Sequence, residues 1–184
     1  VYDRLLLVVD NGSVYTPSLV NSIQELDVPF ESHVYSEIPS VDLERYSSVI
    51  LSGRRKNDAA MNATNSGLIK HALEKDKPLL GICYGAEILA LTLGGTIQKM
   101  ASSRHGLYNV TVTKENPLCN GNIRAFESHS YMISKLGSDF VPFGYSNECK
   151  FEIFQYGTKK IFGTQFHPEM SPDGKLLLKK FSLV

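Results

Sequence analysis

The stretch Pro78-Leu-Leu-Gly-Ile-Cys-Tyr-Gly-Ala-Glu-Ile-Leu-Ala-Leu-Thr-Leu-Gly-Gly95 decides how the rest of this 184-residue chain is read. Residues 79–82 form an apolar run that follows a proline and is short enough for a buried strand. Residues 84–93 are apolar on nearly every face, and the Gly94-Gly95 pair ends what this pattern predicts as a helix. Cys83 lies at the corner between them, with Gly81 and Gly85 two positions away on either side. Such a corner can present a nucleophile, because glycines permit the sharp turn and the close approach of a substrate. The helix N-terminus favours thiolate, and the amide of Tyr84 points where a developing oxyanion would be held. Taken alone, Gly-x-Cys-x-Gly fits a buried, inert cysteine in a hydrophobic joint equally well. The surroundings decide between the two.

Upstream, short apolar runs alternate with helix signals. Residues 5–9 read as a buried strand closed by Asp10-Asn11-Gly12, and Thr16-Pro17 as an N-cap and first helical position opening a helix to about Leu26. Residues 30–35 and 48–52 read as strands and 66–75 as a helix. This alternation predicts an α/β fold with an open, mostly parallel central sheet covered by helices on both faces. After Gly95 the rhythm changes to short β-like runs at 96–100, 109–113, 122–126 and 140–145, then 150–156 and 160–165 across a Gly157 turn. They predict a smaller antiparallel β portion in the C-terminal half, followed by a helix over 172–181. No repeat or linker divides the sequence, so residues 1–184 read as one domain. The topology puts Cys83 at the carboxyl end of a central parallel strand, the edge where open α/β sheets bind ligands.

Composition narrows the function. Lys and Arg total 19 against 19 Asp and Glu, so no excess positive charge is available to track a polyanion, and nucleic acid is not an expected partner. Cys83, Cys119 and Cys149 are odd in number and irregular in spacing, which fits neither a disulfide framework nor a zinc site; no metal is expected, and a reducing cytoplasm is the expected location. No apolar run approaches a membrane span, and residues 5–9 are too short for a signal-peptide core.

A thiol nucleophile needs a base, and the base needs an orienting group. Gln165-Phe-His-Pro-Glu169 supplies both if strand geometry persists past residue 165, because residues two apart then face one side and His167 touches Glu169. Pro168 stiffens the pair. A carboxylate on one ring nitrogen leaves the other free for the thiol; a solvated His-Pro turn is the plain alternative. His33 in a strand and His71 in a helix read as ordinary, and His105 as loop. His129, within Glu127-Ser-His-Ser-Tyr131 beyond a strand, has no second signal.

Gly-Ile-Cys-Tyr-Gly after Pro-Leu-Leu, followed far downstream by Gln-Phe-His-Pro-Glu, resembles the class I (triad-type) glutamine amidotransferases over nearly the whole chain. The resemblance implies Cys83 as nucleophile, His167 as base and acid, and Glu169 as its orienter. It implies backbone oxyanion donors at Tyr84 and around Gly53 and Arg54, because Leu51-Ser52-Gly53 matches the family's oxyanion strand. Glu87, Ser128, Ser130 and Tyr131 match positions that hold the substrate glutamine. Within the family, residues 127–131 and the closing stretch look most like the glutaminase part of GMP synthase, in the form where it is a separate subunit. That implies an ATP-pyrophosphatase (synthetase) partner subunit carrying ATP and magnesium, with no cofactor in this chain and no membrane. The chain departs from the family at three places. Arg54-Arg55 stands for Gly-Pro, which weighs against a preformed oxyanion hole because arginine takes positive φ only at a cost. Glu87 replaces glutamine, which would raise the thiol pKa. Ser130-Tyr131 replaces Gly-Asp. Anthranilate or aminodeoxychorismate synthase glutaminases, a stand-alone γ-glutamyl hydrolase or cysteine peptidase, and a non-catalytic regulatory module remain the alternatives.

Overall fold

The computed structural model describes residues 4–184. Its first half alternates as the sequence pattern predicts: β1 (Leu6–Asn11), α1 (Thr16–Glu25), β2 (Phe30–Val34), β3 (Ser48–Arg54), α2 (Ala59–Lys75), β4 (Leu79–Ile82) and α3 (Tyr84–Thr92). The second half runs β5 (Thr96–Val112), β6 (Ile123–Lys135), β7 (Phe140–Ser146), β8 (Cys149–Tyr156), β9 (Ile161–Thr164) and α4 (Pro172–Phe181). All nine strands share one sheet, in the order β2-β1-β3-β4-β9-β8-β7-β5-β6. Pairing is parallel from β2 through β9 and antiparallel from β9 through β6. The antiparallel part is therefore a direct continuation of the parallel sheet.

Strand alternation divides the core in two. Leu6, Val8, Ile50, Leu80 and Phe162 face α1 and α4, meeting Leu19, Ile23, Leu177 and Phe181. Leu7, Val9, Leu51, Leu79 and Ile161 face α2 and α3, meeting Leu68, Ile69, Ala86 and Leu89. Each such buried aliphatic side chain stabilises the fold by roughly 1.5–3 kcal/mol. β4 is buried along its whole length, since it has a strand on each side and helices on both faces. That burial explains why its sequence is an apolar run without alternation.

Several boundaries differ from the sequence expectation for identifiable reasons. α2 begins at Ala59, well before residue 66, because the Asp58 carboxylate caps it by accepting from the Met61 amide at 3.0 Å. α1 already includes Thr16: its N-cap is Tyr15, whose amide donates to Ser13 Oγ at 3.0 Å, and the Thr16 hydroxyl makes no cap bond. The runs at 96–100 and 109–113 belong to one strand, β5, interrupted by a bulge between Lys99 and Arg104. β6 continues through Glu127–Tyr131, so His129 lies within a strand, and His105 lies in β5, not in a loop.

Candidate active site

Cys83 occupies the turn between β4 and α3 with φ 51° and ψ −104°, a conformation that L-residues rarely adopt. The surrounding packing enforces it. Its amide donates to the Thr164 carbonyl of β9 at 2.8 Å, tying the corner to the neighbouring strand. A Cβ added at Gly81 would lie 2.4 Å from the Gly85 carbonyl oxygen, and one at Gly85 would lie 2.4 Å from that of Leu51. Only glycine at both positions lets α3 sit this close to β3 and β4.

Because β9 lies beside β4, the chain leaving β9 passes the thiol. Here the expected geometry is corrected: β9 ends at Thr164, and Pro168–Met170 form a 3-10 turn. The turn nevertheless brings the His167 Nδ1–H to Glu169 Oε2 at 3.1 Å, so Nε2 is left without that partner. Both side chains are buried. The His167 amide donates to the Phe126 carbonyl at 2.8 Å, and its ring packs edge-on to Tyr15 at 4.8 Å. Gly53 marks the point of convergence: a Cβ there would meet His167 Cε1 at 3.0 Å and Cys83 Cβ at 3.6 Å. Any side chain at 53 would enter the space between ring and thiol.

A cleft of about 590 Å³ opens from Cys83 and is lined by Tyr84, Glu87, Ser128, Ser130 and Tyr131. The structure thus gathers all four proposed substrate-holding residues on one cavity with the thiol, while His167 and Glu169 are buried and do not line it. Arg54 is the last residue of β3 and is not among the described non-glycine residues with positive φ. Its guanidinium lies 3.9 Å from the centroid of the Tyr84 ring and donates to Asn62 Oδ1 at 2.9 Å, which also accepts from the Tyr84 hydroxyl at 2.6 Å. Arg54 therefore forms a wall of the cleft.

Charge around the sulfur opposes thiolate. Burial, then the Glu87 and Glu169 carboxylates, push the Cys83 thiol well above its ordinary pKa, against the bond from the Tyr84 backbone amide. Glu87 is itself pushed up to about 7, chiefly by burial and despite a bond from Gln165 Nε2 at 2.9 Å. Gln165 is anchored in turn, accepting from the Ile133 amide at 3.0 Å.

Other contributors are not found by sequence reasoning. Asn11 and Asn65 exchange amide bonds at 2.9 and 2.8 Å, and Asn11 also donates to the Ser52 carbonyl, fixing the end of β3 against α2. In the sequence, Asn11-Gly12 carries only a turn signal. Glu127, His129 and Cys149 place donor atoms within 4.8 Å of one another, the one metal-type grouping among the described residues. The Arg104 guanidinium donates to Glu127 at 2.5 Å, so a cation already neutralises that carboxylate and the set does not fit a metal ion.

Fold and site together define an α/β protein with a strained cysteine at the carboxyl edge of the parallel strands and, across Gly53 from it, a buried imidazole–carboxylate pair. The chain belongs to the class I glutamine amidotransferase family, whose model (Glutamine amidotransferase class-I) matches residues 7–183. More particularly, it is 31% identical over 188 residues to one subunit of the glutamine-hydrolyzing GMP synthase of Methanocaldococcus jannaschii, covering 98% of this chain and 97% of that one. It is 32% identical over 182 residues to the GMP synthase of Christiangramia forsetii, covering 96% of this chain but spanning only 35% of that longer protein. A solved structure from Thermoplasma acidophilum, assigned as one subunit of a GMP synthase, superposes with a TM-score of 0.87 at 27% identity, covering 99% of this chain and 94% of that one. No helix among the described residues is long and apolar enough to cross a membrane.

Proposed function

We propose that this chain is the glutaminase subunit of a two-subunit GMP synthase, hydrolysing glutamine to glutamate and ammonia for a separate ATP-pyrophosphatase subunit. The observation that carries the proposal is the convergence of Cys83, His167 and Gly53, with Glu169 bonded to the imidazole. Near-complete coverage of relatives that are themselves single GMP synthase subunits supports the choice of acceptor.

His167 Nε2 takes the thiol proton as Cys83 attacks the side-chain carboxamide carbon of glutamine. The oxyanion forms against backbone amides near Tyr84, Gly53 and Arg54, each such donor being worth about 3 kcal/mol. Collapse breaks the C–N bond, the imidazolium proton leaves with ammonia, and a γ-glutamyl thioester remains on Cys83. Water, deprotonated by His167, then releases glutamate and restores the thiol. Glu87, with Ser128, Ser130 and Tyr131, holds the amino-acid end of glutamine. An α-ammonium beside Glu87 would cancel the charge that keeps the thiol protonated, so substrate binding favours ionisation of the nucleophile. Ammonia passes to the synthetase subunit, which uses ATP and magnesium to aminate XMP to GMP; these belong to the partner.

Replacing Cys83 by alanine is expected to abolish glutamine-dependent GMP formation by the assembled complex while leaving synthesis from added ammonia intact. Retention of the glutamine-dependent rate would refute the nucleophile assignment. Glutamine turnover that yields anthranilate or aminodeoxychorismate with the native partner, and no GMP, would move the chain to a sister family of glutaminases.

A further inference from the structure

We propose that Arg104, Glu127 and His129 form a buried clamp that fixes the cleft-lining backbone of residues 128–131, making them positioning residues for substrate affinity. This rests on the reading of that backbone as the wall that holds glutamine.

The clamp lies beside a bulge in the β5–β6 ladder. β5 and β6 pair at Lys99↔Tyr131 and again at Arg104↔His129, so residues 100–103 stand opposite the single residue Ser130. Ser128, His129 and Tyr131 keep their ladder partners, but the bulge leaves Ser130 without one, so strand pairing alone holds this part of the cleft wall loosely. Side chains beneath it add a second hold. His129 Nδ1 lies 2.7 Å from the Tyr131 carbonyl oxygen and Nε2 2.7 Å from Glu127 Oε1, both within hydrogen-bond distance. Arg104 Nη1 donates to Glu127 Oε2 at 2.5 Å, to Ser146 Oγ at 2.8 Å and to Glu152 Oε2 at 3.2 Å. The His129, Glu127, Arg104 and Glu152 side chains are all at least nineteen-twentieths buried. A continuous chain of bonds thus runs from β8 through β5 to the carbonyl of Tyr131 in the cleft wall.

The two carboxyl groups in this chain are driven apart. Burial pushes Glu127 up, but its bonds from His129 and Glu152 outweigh that, and its carboxyl stays below the ordinary range. Glu152 is driven well above it by burial and the neighbouring Glu127, so it keeps its proton. One carboxylate then faces the Arg104 guanidinium and the His129 ring, with the Cys149 thiol, itself pushed up to about 12 by burial, adding no charge.

Arg104 offers an unusual test. All three of its bonds come from one nitrogen, and its buried Nε has no partner. A lysine ammonium has three donors on one nitrogen and can replace that centre. With the partner subunit present, Arg104→Met and His129→Leu are expected to raise KM for glutamine roughly ten-fold while kcat stays within about two-fold, whereas Arg104→Lys keeps both near the parent values. Hydrogen exchange on the full chain should quicken at residues 128–131 in the first two variants and not in β1, β3 or β4. An unchanged KM, a loss confined to kcat, uniform loss of protection, or failure of Arg104→Lys to restore affinity would overturn the proposal. If Arg104→Met does not fold, His129→Leu decides. A parent complex that leaves glutamine untouched would defeat the functional reading alone, and the exchange pattern would still decide the clamp.

Discussion

At the scale of single residues, the unusual choice is Glu87. A carboxylate one helical turn from Cys83 is costly in two ways: it must be buried, and its charge resists formation of thiolate. Its folded pKa of about 7 lies above the ordinary 4.5. Between those values the folded chain holds a proton that the unfolded chain has released, so stability falls as pH rises through that window. Above pH 7 the full penalty applies, about 3 kcal/mol from a shift of this size. Glu87→Gln should therefore be more stable than the parent above pH 7 and equal to it below 4.5, as urea unfolding at the two ends would report. The same variant should move the pH at which iodoacetamide alkylates Cys83 downward; an unmoved profile would show that Glu87 does not act on the sulfur. The corner position of Cys83 and the contact of His167 with Glu169 were legible in the sequence because their motifs are short and local. Gln165, Asn65 and Arg104 were not, because what defines them is a partner far away in the chain: Glu87, Asn11 and Glu127.

At the scale of elements, the strand-to-helix corner carries the design. α3 is held so tightly against β3 that a methyl at residue 85 would lie 2.4 Å from the Leu51 carbonyl oxygen, which is backbone and cannot rotate aside. Gly85→Ala is expected to cost about 1–3 kcal/mol in urea unfolding, and to lower kcat because α3 must shift and carry the corner with it. A variant that unfolds like the parent and keeps its kcat would show that the corner tolerates movement. α4 was readable to the residue, since Ser171 caps it by accepting from the Gly174 amide and Pro172 opens it. The β5–β6 ribbon was not, because Met100-Ala-Ser-Ser103, which bridges its bulge, carries no strand alternation. The turn at Pro168–Met170 was hidden for another reason: strand and turn both bring residues two apart together, so His-x-Glu could not distinguish them.

At the scale of the molecule, the sheet order joins distant parts of the chain. β9 returns from the antiparallel half to lie beside β4, and this single adjacency brings the residues after Thr164 to the thiol. The alternation of strands and helices made the parallel half readable. It did not reveal that the later strands extend the same sheet, because antiparallel pairing leaves no long-range mark in sequence. With a buried, protonated thiol and Arg54 and Arg55 lining the cleft, the isolated chain should hydrolyse glutamine slowly and gain roughly ten-fold or more when titrated with the proposed synthetase subunit. Full turnover without the partner would contradict that coupling. The most direct measurement is rapid quenching of the complex with glutamine, followed by mass spectrometry of its peptides. The peptide containing Cys83 should carry a γ-glutamyl group that disappears as glutamate is released. Ammonia released at the normal rate with no adduct on that peptide, and undiminished in Cys83→Ala, would contradict the account.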